Sequence, residues 1–349
     1  GVVPEYRPGT QPAAAGLDRP SVAGRSLLTS SAMRSLILAA FISLLVSLSA
    51  AALVPARLSV QQGRDEVPYT IAVDVDLVVF NVTVTEGGGP HVPGLKSSDF
   101  RIYEEGRLQD IRLFRAEDVP ASVGLIIDNS GSMRGKRTEV ANDALAFVGA
   151  SNPEDETFVV NFNEKVYMGL PDSIQFTNDL NQLRSALLRT APGGLTALYD
   201  ALATGIDHLK TGTRERKALV VLSDGGDNAS RHDLNDVLTI AQRSNATIYT
   251  IGIYDDSDAD RNPRVLRKIA QLSGGRAYFP DSINDLAQVW RDIAAGIRSQ
   301  YTIGYFSSNP NRDGMFRKVK ITASRNGGRG LRVTTRDGYI APGDKSIAR

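Results

Sequence analysis

The sequence contains no cysteine. This absence excludes disulfide bonds, thiolate metal sites, cysteine nucleophiles and a lipid anchor on cysteine. Histidine is almost absent as well: the chain has only His91, His208 and His232, and no two of them have the H-x-x-x-H spacing of a zinc hydrolase. The net charge is +1 over 349 residues, so no broad attraction to nucleic acids is expected. No Walker motif or glycine-rich dinucleotide fingerprint follows a predicted strand, so nucleotide binding is not expected.

The first part of the chain resembles an export signal rather than a domain. Residues 1–32 are rich in Pro, Ala, Gly and Ser without a clear period, which predicts disorder or spurious upstream sequence. In residues 33–56, Met33 and Arg34 precede an uncharged run that ends in small residues. This pattern predicts a cleaved secretory signal peptide. An uncleaved membrane anchor is the alternative, because the run is about long enough to span a bilayer. Both interpretations place the remainder outside the cytoplasm, as a secreted, periplasmic or cell-envelope protein.

A buried strand followed by a short polar turn is the first feature that points to chemistry. The apolar residues 123–127 predict a buried strand, and the turn after it reads Asp128-Asn129-Ser130-Gly131-Ser132. One carboxylate and two hydroxyls at alternate positions offer only oxygen ligands. Such ligands suit Mg²⁺, Mn²⁺ or Ca²⁺ rather than Zn²⁺. Taken alone, the motif is equally typical of a plain turn or a helix cap.

Two later segments strengthen the metal interpretation. Gly193-Gly194-Leu195-Thr196 places a hydroxyl at the start of a predicted helix, residues 196–209. The Thr196 hydroxyl is expected either to cap this helix or to face the ion. A second apolar strand ends in Ser223, Asp224 and Gly225. Because the carboxyl ends of parallel strands meet at one edge of a sheet, the three segments are expected to converge on one ion.

These three motifs, in this order, resemble a von Willebrand factor A domain with a metal-ion-dependent adhesion site. The resemblance covers roughly residues 118–298. It implies that one divalent cation, with Mg²⁺ favoured over Mn²⁺ and Ca²⁺, is held by five residues: Asp128, Ser130, Ser132, Thr196 and Asp224. It also implies a coordination position left for an acidic residue of a protein partner, and therefore a non-enzymatic, adhesion-type binding protein.

The order of elements predicts an α/β fold. Strand and helix patterns alternate through residues 118–299, which is typical of a doubly wound, mostly parallel sheet. Residues 57–117 and 300–349 contain short strands that would struggle to form stable sheets alone. We therefore expect them to pair into one small β module, an arrangement that resembles bacterial secreted proteins related to the von Willebrand factor A family. In residues 69–86 the apolar positions change parity near Val79, which predicts a bulge or burial of both faces.

Two other functions remain open at this level. In the first, the ion staples the three loops of a structural cell-envelope scaffold whose partner binds elsewhere. In the second, the protein is a metal-assisted hydrolase, with Asp227 or Glu139 as the acid or base. A triad of Ser130, His208 and Asp224 is conceivable, but the chain has no G-x-S-x-G nucleophile elbow. For Asp227, a turn or helix-cap role is the more typical interpretation.

Overall fold

The structure is a computed structural model that describes residues 76–87, 89, 91–116, 118–254, 261–325 and 330–343. All of them belong to one compact unit that spans residues 72–349. The predicted export segment, residues 33–56, and residues 69–75 of the predicted first strand lie outside the described residues. Within the ranges given above, no helix is both long enough and apolar enough to cross a membrane.

The described residues form fourteen strands, six α-helices and three short 3-10 helices. The strands are β1 (Leu77–Thr85), β2 (Phe100–Glu104), β3 (Arg107–Gln109), β4 (Ile111–Arg115), β5 (Ala121–Asp128), β6 (Glu156–Phe162), β7 (Val166–Met168), β8 (Arg216–Ser223), β9 (Thr247–Gly252), β10 (Ala277–Tyr278), β11 (Tyr301–Phe306), β12 (Phe316–Ser324), β13 (Gly330–Thr334) and β14 (Gly338–Ile340). The helices are α1 (Arg137–Ala150), α2 (Leu180–Leu187), α3 (Leu198–Leu209), α4 (Leu234–Arg243), α5 (Pro263–Leu272) and α6 (Leu286–Arg298). The 3-10 helices are Ser97–Asp99, Gly131–Met133 and Ile283–Asp285.

The α/β body is built on a six-stranded sheet with the order β10-β9-β8-β5-β6-β7. Its neighbouring strands are parallel except for β7, which runs antiparallel to β6. Every residue of β5 is buried, and so is every residue of the adjacent strand β8 except the half-buried Lys217. Strands buried on both faces need no polar alternation, which explains their continuous apolar sequences. The predicted α/β fold with a mostly parallel sheet is confirmed.

The direction of the sheet reverses at β5. The chain leaves β5 through α1 and enters β6 on one side, whereas β8 lies on the other side. In open α/β sheets, the crevice at the carboxyl end of such a strand is where ligands bind. Ile127 pairs with Leu222 in the parallel register. The last residue of β5, Asp128, and the last residue of β8, Ser223, therefore lie side by side at this crevice.

Helix α3 lies unusually close to the middle of this sheet. A Cβ atom added at Gly205 would come within 2.5 Å of the Cδ1 atom of Ile126 in β5. A larger residue at this position would force either the Ile126 side chain or the helix to shift. The start of α3, and the loop that leads into it, are therefore held near the end of β5.

The strands on both sides of the α/β body form one antiparallel sheet. Its order is β3-β2-β12-β13-β1-β11-β4, and β14 pairs with β12. Strands from before and after the α/β body are interleaved in this order: β1 lies between β13 and β11, and β11 lies between β1 and β4. The predicted β module of paired flanking strands is confirmed.

The sequence predicts two alternatives for strand β1, a bulge or burial of both faces. It buries alternate residues, from Val78 through Phe80 to Val84, against the module core. Its pairing with β11 is continuous from Leu77 to Val82, so the predicted bulge is wrong. Val79 is half-buried because the other face of β1 borders the α/β body. There Arg336 donates hydrogen bonds to both Val79 O and Ser244 O.

A buried charged pair lies at the centre of the β module. The side chains of Glu104 and Arg317 are nearly inaccessible to solvent, and their charged atoms lie 3.5 Å apart. The Glu104 carboxylate also accepts hydrogen bonds from Tyr305 Oη, Tyr339 Oη and Ser307 Oγ, at 2.8, 3.1 and 2.7 Å. A buried carboxylate is tolerable only when its lone pairs are satisfied in this way. This cluster joins β2 to β11, β12 and β14.

The replacement Glu104→Gln is expected to destabilise the β module strongly. It keeps the shape of the side chain, but it leaves Arg317 without the charge of its buried partner and turns an amide donor toward hydroxyl donors. We expect the free energy of unfolding to fall by about 3–5 kcal/mol, the usual cost of breaking a buried ion pair. Urea unfolding monitored by circular dichroism measures it. The exposed Glu86, which makes no side-chain hydrogen bond to another described residue, provides the control Glu86→Gln. Equal losses in both variants would contradict the role of the cluster.

Candidate metal centre

Asp128 ends β5 and is almost completely buried, with 2 % of its surface exposed. Its Oδ1 atom accepts a hydrogen bond of 2.8 Å from Ser130 N, and its Oδ2 atom accepts one of 2.7 Å from Ser223 Oγ. Burial raises the pKa of Asp128 to about 6; hydrogen bonds from Ser130 and Ser223 oppose this rise, and the nearby Asp224 carboxylate adds to it. The negative charge of Asp128 is therefore costly unless a positive charge lies close by.

Asp224 follows β8 directly and is also buried, with 4 % exposed. Its Oδ2 atom accepts a hydrogen bond of 2.8 Å from Ser132 Oγ, and its Oδ1 atom accepts one of 2.9 Å from Gly226 N. The hydroxyl oxygens of Ser130 and Ser132 are 3.2 Å apart. Four of the five predicted ligands thus belong to one polar cluster that joins the ends of β5 and β8.

The turn after β5 is held by the burial of one of its side chains in the core. Ser130 has an extended backbone, with φ −64° and ψ 175°, and the 3-10 helix Gly131–Met133 begins after it. The side chain of Met133 is almost fully buried in the core of the α/β body. Burial of this long apolar side chain anchors the turn. The turn that carries the two serine hydroxyls is therefore attached to the core of the α/β body.

Thr196, the fifth predicted ligand, lies on the loop before α3. Its backbone N–H donates to Asn228 Oδ1 at 2.8 Å, and its carbonyl accepts from Asn228 N and Ala229 N at 3.0 and 3.1 Å. The N-cap of α3 is Ala197, without a side-chain cap. Of the two predicted roles of the Thr196 hydroxyl, helix capping is therefore wrong. The capping group comes from another loop instead.

Asp227 performs the capping. Its Oδ2 atom accepts hydrogen bonds from Tyr199 N at 3.0 Å and from Ser230 Oγ at 2.6 Å. Tyr199 is the second residue of α3, so the carboxylate satisfies a backbone donor that has no partner inside the helix. The negative charge is also favourable beside a helix N-terminus. The cap role predicted for Asp227 agrees with these contacts.

Backbone hydrogen bonds connect the loops around the cluster. Gly193 N donates to Asn129 O at 2.8 Å, and Gly131 N donates to Gly194 O at 3.3 Å. Ala197 N donates to Asn163 O, in the loop after β6, at 2.7 Å. Together with the bonds between Thr196 and Asn228, these contacts connect four loops to one another.

The donor set of the cluster fits a hard cation. It consists of oxygen atoms only, and among the described residues no Lys, Arg or His forms an ion pair with Asp128 or Asp224. No group of three or more His, Cys, Asp or Glu that could hold a metal occurs in the part of the chain that the structure describes. Hydroxyl groups would therefore have to supply much of the coordination. Two buried carboxylates among hydroxyls suit Mg²⁺ or Ca²⁺ and are unsuited to Zn²⁺.

The residues considered for hydrolysis do not come together. His208 Nε2 lies 2.9 Å from Gln175 O, and its ring packs on Phe158 with the ring centroids 4.4 Å apart. Ser130 Oγ contacts the neighbouring Ser132 hydroxyl instead. Glu139 lies exposed in the first turn of α1. The structure therefore assembles no triad from Ser130, His208 and Asp224.

Three residues around the cluster were not predicted from the sequence. Ser223 donates to Asp128, Asn228 accepts from the Thr196 backbone, and Glu164 accepts from Leu195 N at 3.2 Å. Ser223 could have been found, because it ends the strand parallel to β5 one position before Asp224. Asn228 and Glu164 act from loops whose positions the sequence does not indicate.

Part of this region matches a known family model. Residues 123–226 match the family model described as von Willebrand factor type A domain. An uncharacterised protein of Synechocystis sp. is 25 % identical over 180 residues, which are 50 % of this chain and 41 % of that protein. The chain thus spans less than half the length of this relative.

Solved structures of low sequence identity were also matched. A von Willebrand factor type A protein from Catenulispora acidiphila is 17 % identical, with a TM-score of 0.46, and the match covers 77 % of this chain and 74 % of the other. The vWF domain of the type V pili tip protein Mfa5 from Porphyromonas gingivalis is 17 % identical, with a TM-score of 0.40, and the match covers 51 % of this chain and 95 % of the other.

The capping role of Asp227 predicts a moderate loss of stability in Asp227→Ala. Removal of the carboxylate leaves Tyr199 N and Ser230 Oγ without their acceptor, so the free energy of unfolding should fall by about 1–2 kcal/mol. Urea unfolding checks this value. Asp172→Ala removes an exposed aspartate that has no side-chain hydrogen bond to another described residue, and it serves as the control. If the two variants are equally stable, Asp227 is not a cap.

Proposed function

We propose that this chain, which contains a von Willebrand factor type A domain, is an exported, non-enzymatic protein-binding module that depends on one divalent cation. The cation, with Mg²⁺ favoured, would be held by a set of five side chains: Asp128, Ser130, Ser132, Thr196 and Asp224. A protein partner would bind by offering an acidic residue to the ion. The observation that carries this proposal is the pair of buried carboxylates within a cluster of hydroxyls at the carboxyl edge of the sheet.

The charges of the cluster support a cation. Asp128 and Asp224 are both buried, and Asp224 helps to raise the pKa of Asp128. A divalent ion between them would offset the cost of burying two negative charges. When bound, such an ion supplies an electrophilic centre that attracts carboxylate oxygens. Three of the five donors are neutral hydroxyls, which favours a further anionic ligand from a partner.

The hydrogen bonds between the loops favour a partner-binding ion over an ion whose role is only to hold the loops together. Gly193, Gly131 and Ala197 each donate a backbone hydrogen bond that crosses between loops. A staple is most useful where loops have no other connection, which is not the situation here. The scaffold interpretation is therefore the weaker one.

The acid and base candidates support a non-enzymatic role. The Asp227 carboxylate is already used by Tyr199 N and Ser230 Oγ, and His208 packs away from Ser130 against Phe158. A hydrolase would need a proton donor or acceptor within hydrogen-bonding reach of its substrate. Export, in turn, rests on the signal-like sequence of residues 33–56; contact with a membrane would occur only through that segment if it stays uncleaved.

Calorimetric titration of the protein with Mg²⁺ and with Mn²⁺ is the direct test. We expect saturable binding of one ion per chain, and we expect Asp128→Asn to abolish it because the replacement removes a buried negative charge at the site. The asparagine keeps an oxygen that can accept from Ser130 N, so the turn should persist. Asp172→Asn, an exposed change of equal charge, is the control. Native Mg²⁺ affinity in Asp128→Asn would refute the assignment.

Metal removal should be visible as a loss of stability. Binding to the folded state alone adds about 2.7 kcal/mol at an ion concentration one hundred times the dissociation constant. We therefore expect urea unfolding midpoints to be higher in Mg²⁺ than in chelator for the unmodified protein. Asp128→Asn should have the same midpoint in both solutions. A shift of equal size in the variant would mean that Mg²⁺ binds elsewhere.

A further inference from the structure

The loop after β6 carries a carboxylate that lies directly against the loop of Thr196. Glu164 Oε2 accepts a hydrogen bond of 3.2 Å from Leu195 N. The same oxygen lies so close to Gly194 that a Cβ atom added there would be only 1.6 Å from it. The space beside Gly194 that a side chain would otherwise occupy is therefore taken by the Glu164 carboxylate.

The backbone at this position requires glycine for a second reason. Gly194 has a φ of +79°, in the left-handed region that other residues rarely adopt. Two backbone hydrogen bonds, from Gly193 N to Asn129 O and from Gly131 N to Gly194 O, hold the glycine pair to the turn after β5, but neither restrains Leu195, the residue next to Thr196. The hydrogen bond from Leu195 N to Glu164 supplies that restraint.

The residues on both sides of Thr196 donate hydrogen bonds to the loop after β6. On one side of Thr196, Leu195 N donates to Glu164; on the other side, Ala197 N donates to Asn163 O at 2.7 Å. The loop after β6 is in turn connected to the end of β5, because Asn129 N donates a hydrogen bond of 2.7 Å to Phe162 O, at the end of β6. The position of Thr196 relative to Asp128 therefore depends on residues 162–164.

We propose that Glu164 is a positioning residue of the metal centre: its carboxylate locks the turn at Gly194 and thereby fixes Thr196 for metal binding. This inference rests on the proposed metal-dependent function. Glu164 acts through the backbone of Leu195 and is not itself a ligand. Mg²⁺ demands nearly ideal octahedral geometry, so a freer Thr196 loop lowers the affinity for Mg²⁺.

Three single variants test the proposal by Mg²⁺ calorimetry. Glu164→Ala removes the acceptor and should weaken Mg²⁺ binding by about tenfold, the lower range for residues that orient metal ligands. Glu164→Gln keeps an acceptor oxygen for Leu195 N and should retain most of the affinity. Glu154→Ala is the matched control, because this exposed glutamate lies before the other end of β6 and has no side-chain hydrogen bond to another described residue. Unchanged affinity in Glu164→Ala overturns the proposal, as does an equal loss in Glu164→Gln, which would indicate a charge effect.

Amide hydrogen exchange of Leu195 in the metal-free protein separates this inference from the proposed function. Exchange should become faster in Glu164→Ala, while Glu164→Gln and Glu154→Ala should match the unmodified protein. Unchanged exchange in Glu164→Ala means that Glu164 does not lock the turn. If the unmodified protein binds neither Mg²⁺ nor Mn²⁺, the proposed function fails, and the role of Glu164 in metal binding fails with it. In that case faster exchange would still show that the lock exists.

Discussion

The parallel pairing of β5 and β8 is the constraint on which the candidate site depends. It places Asp128 and Asp224 at adjacent strand ends, in a region where both are buried. Two carboxylates in such a place repel each other and lose hydration, so their surroundings must compensate. Hydroxyls of Ser132 and Ser223 and backbone N–H groups of Ser130 and Gly226 do so in part. The loops around them are arranged to hold these donors in place.

Strand β8 connects this site to the rest of the molecule. Its first residue, Arg216, is nearly inaccessible and donates to Ile297 O and Gln300 O, at the junction of α6 with the β module. A second arginine, Arg336, bridges the two parts through Val79 O and Ser244 O, and burial lowers the pKa of this guanidinium to about 10. The attachment of the β module and the polar cluster therefore lie at opposite ends of one strand.

The sequence predicts those features that local pattern controls. Apolar runs locate β5 and β8. The polar residues at their ends indicate the site, because the carboxyl ends of parallel strands lie together at the point where the strand order reverses. Contacts between loops that are distant in the sequence cannot be predicted from local pattern. The cap of α3 comes from Asp227 rather than Thr196, and Glu164 lies against Gly194 although the two are distant in the sequence. The bulge expected in β1 is absent because its second face is covered by another part of the chain.

The interleaved order of the β module has a consequence for how the protein is made. Of the strands that precede the α/β body, only β2 and β3 are neighbours; β1 has β11 and β13 beside it, and β4 has β11. During synthesis, β1 and β4 therefore emerge long before the strands that will flank them. The α/β body can fold first, since its sheet is complete once β10 has been made. The slow, long-range strand pairing must wait until β11, β12 and β13 have been made.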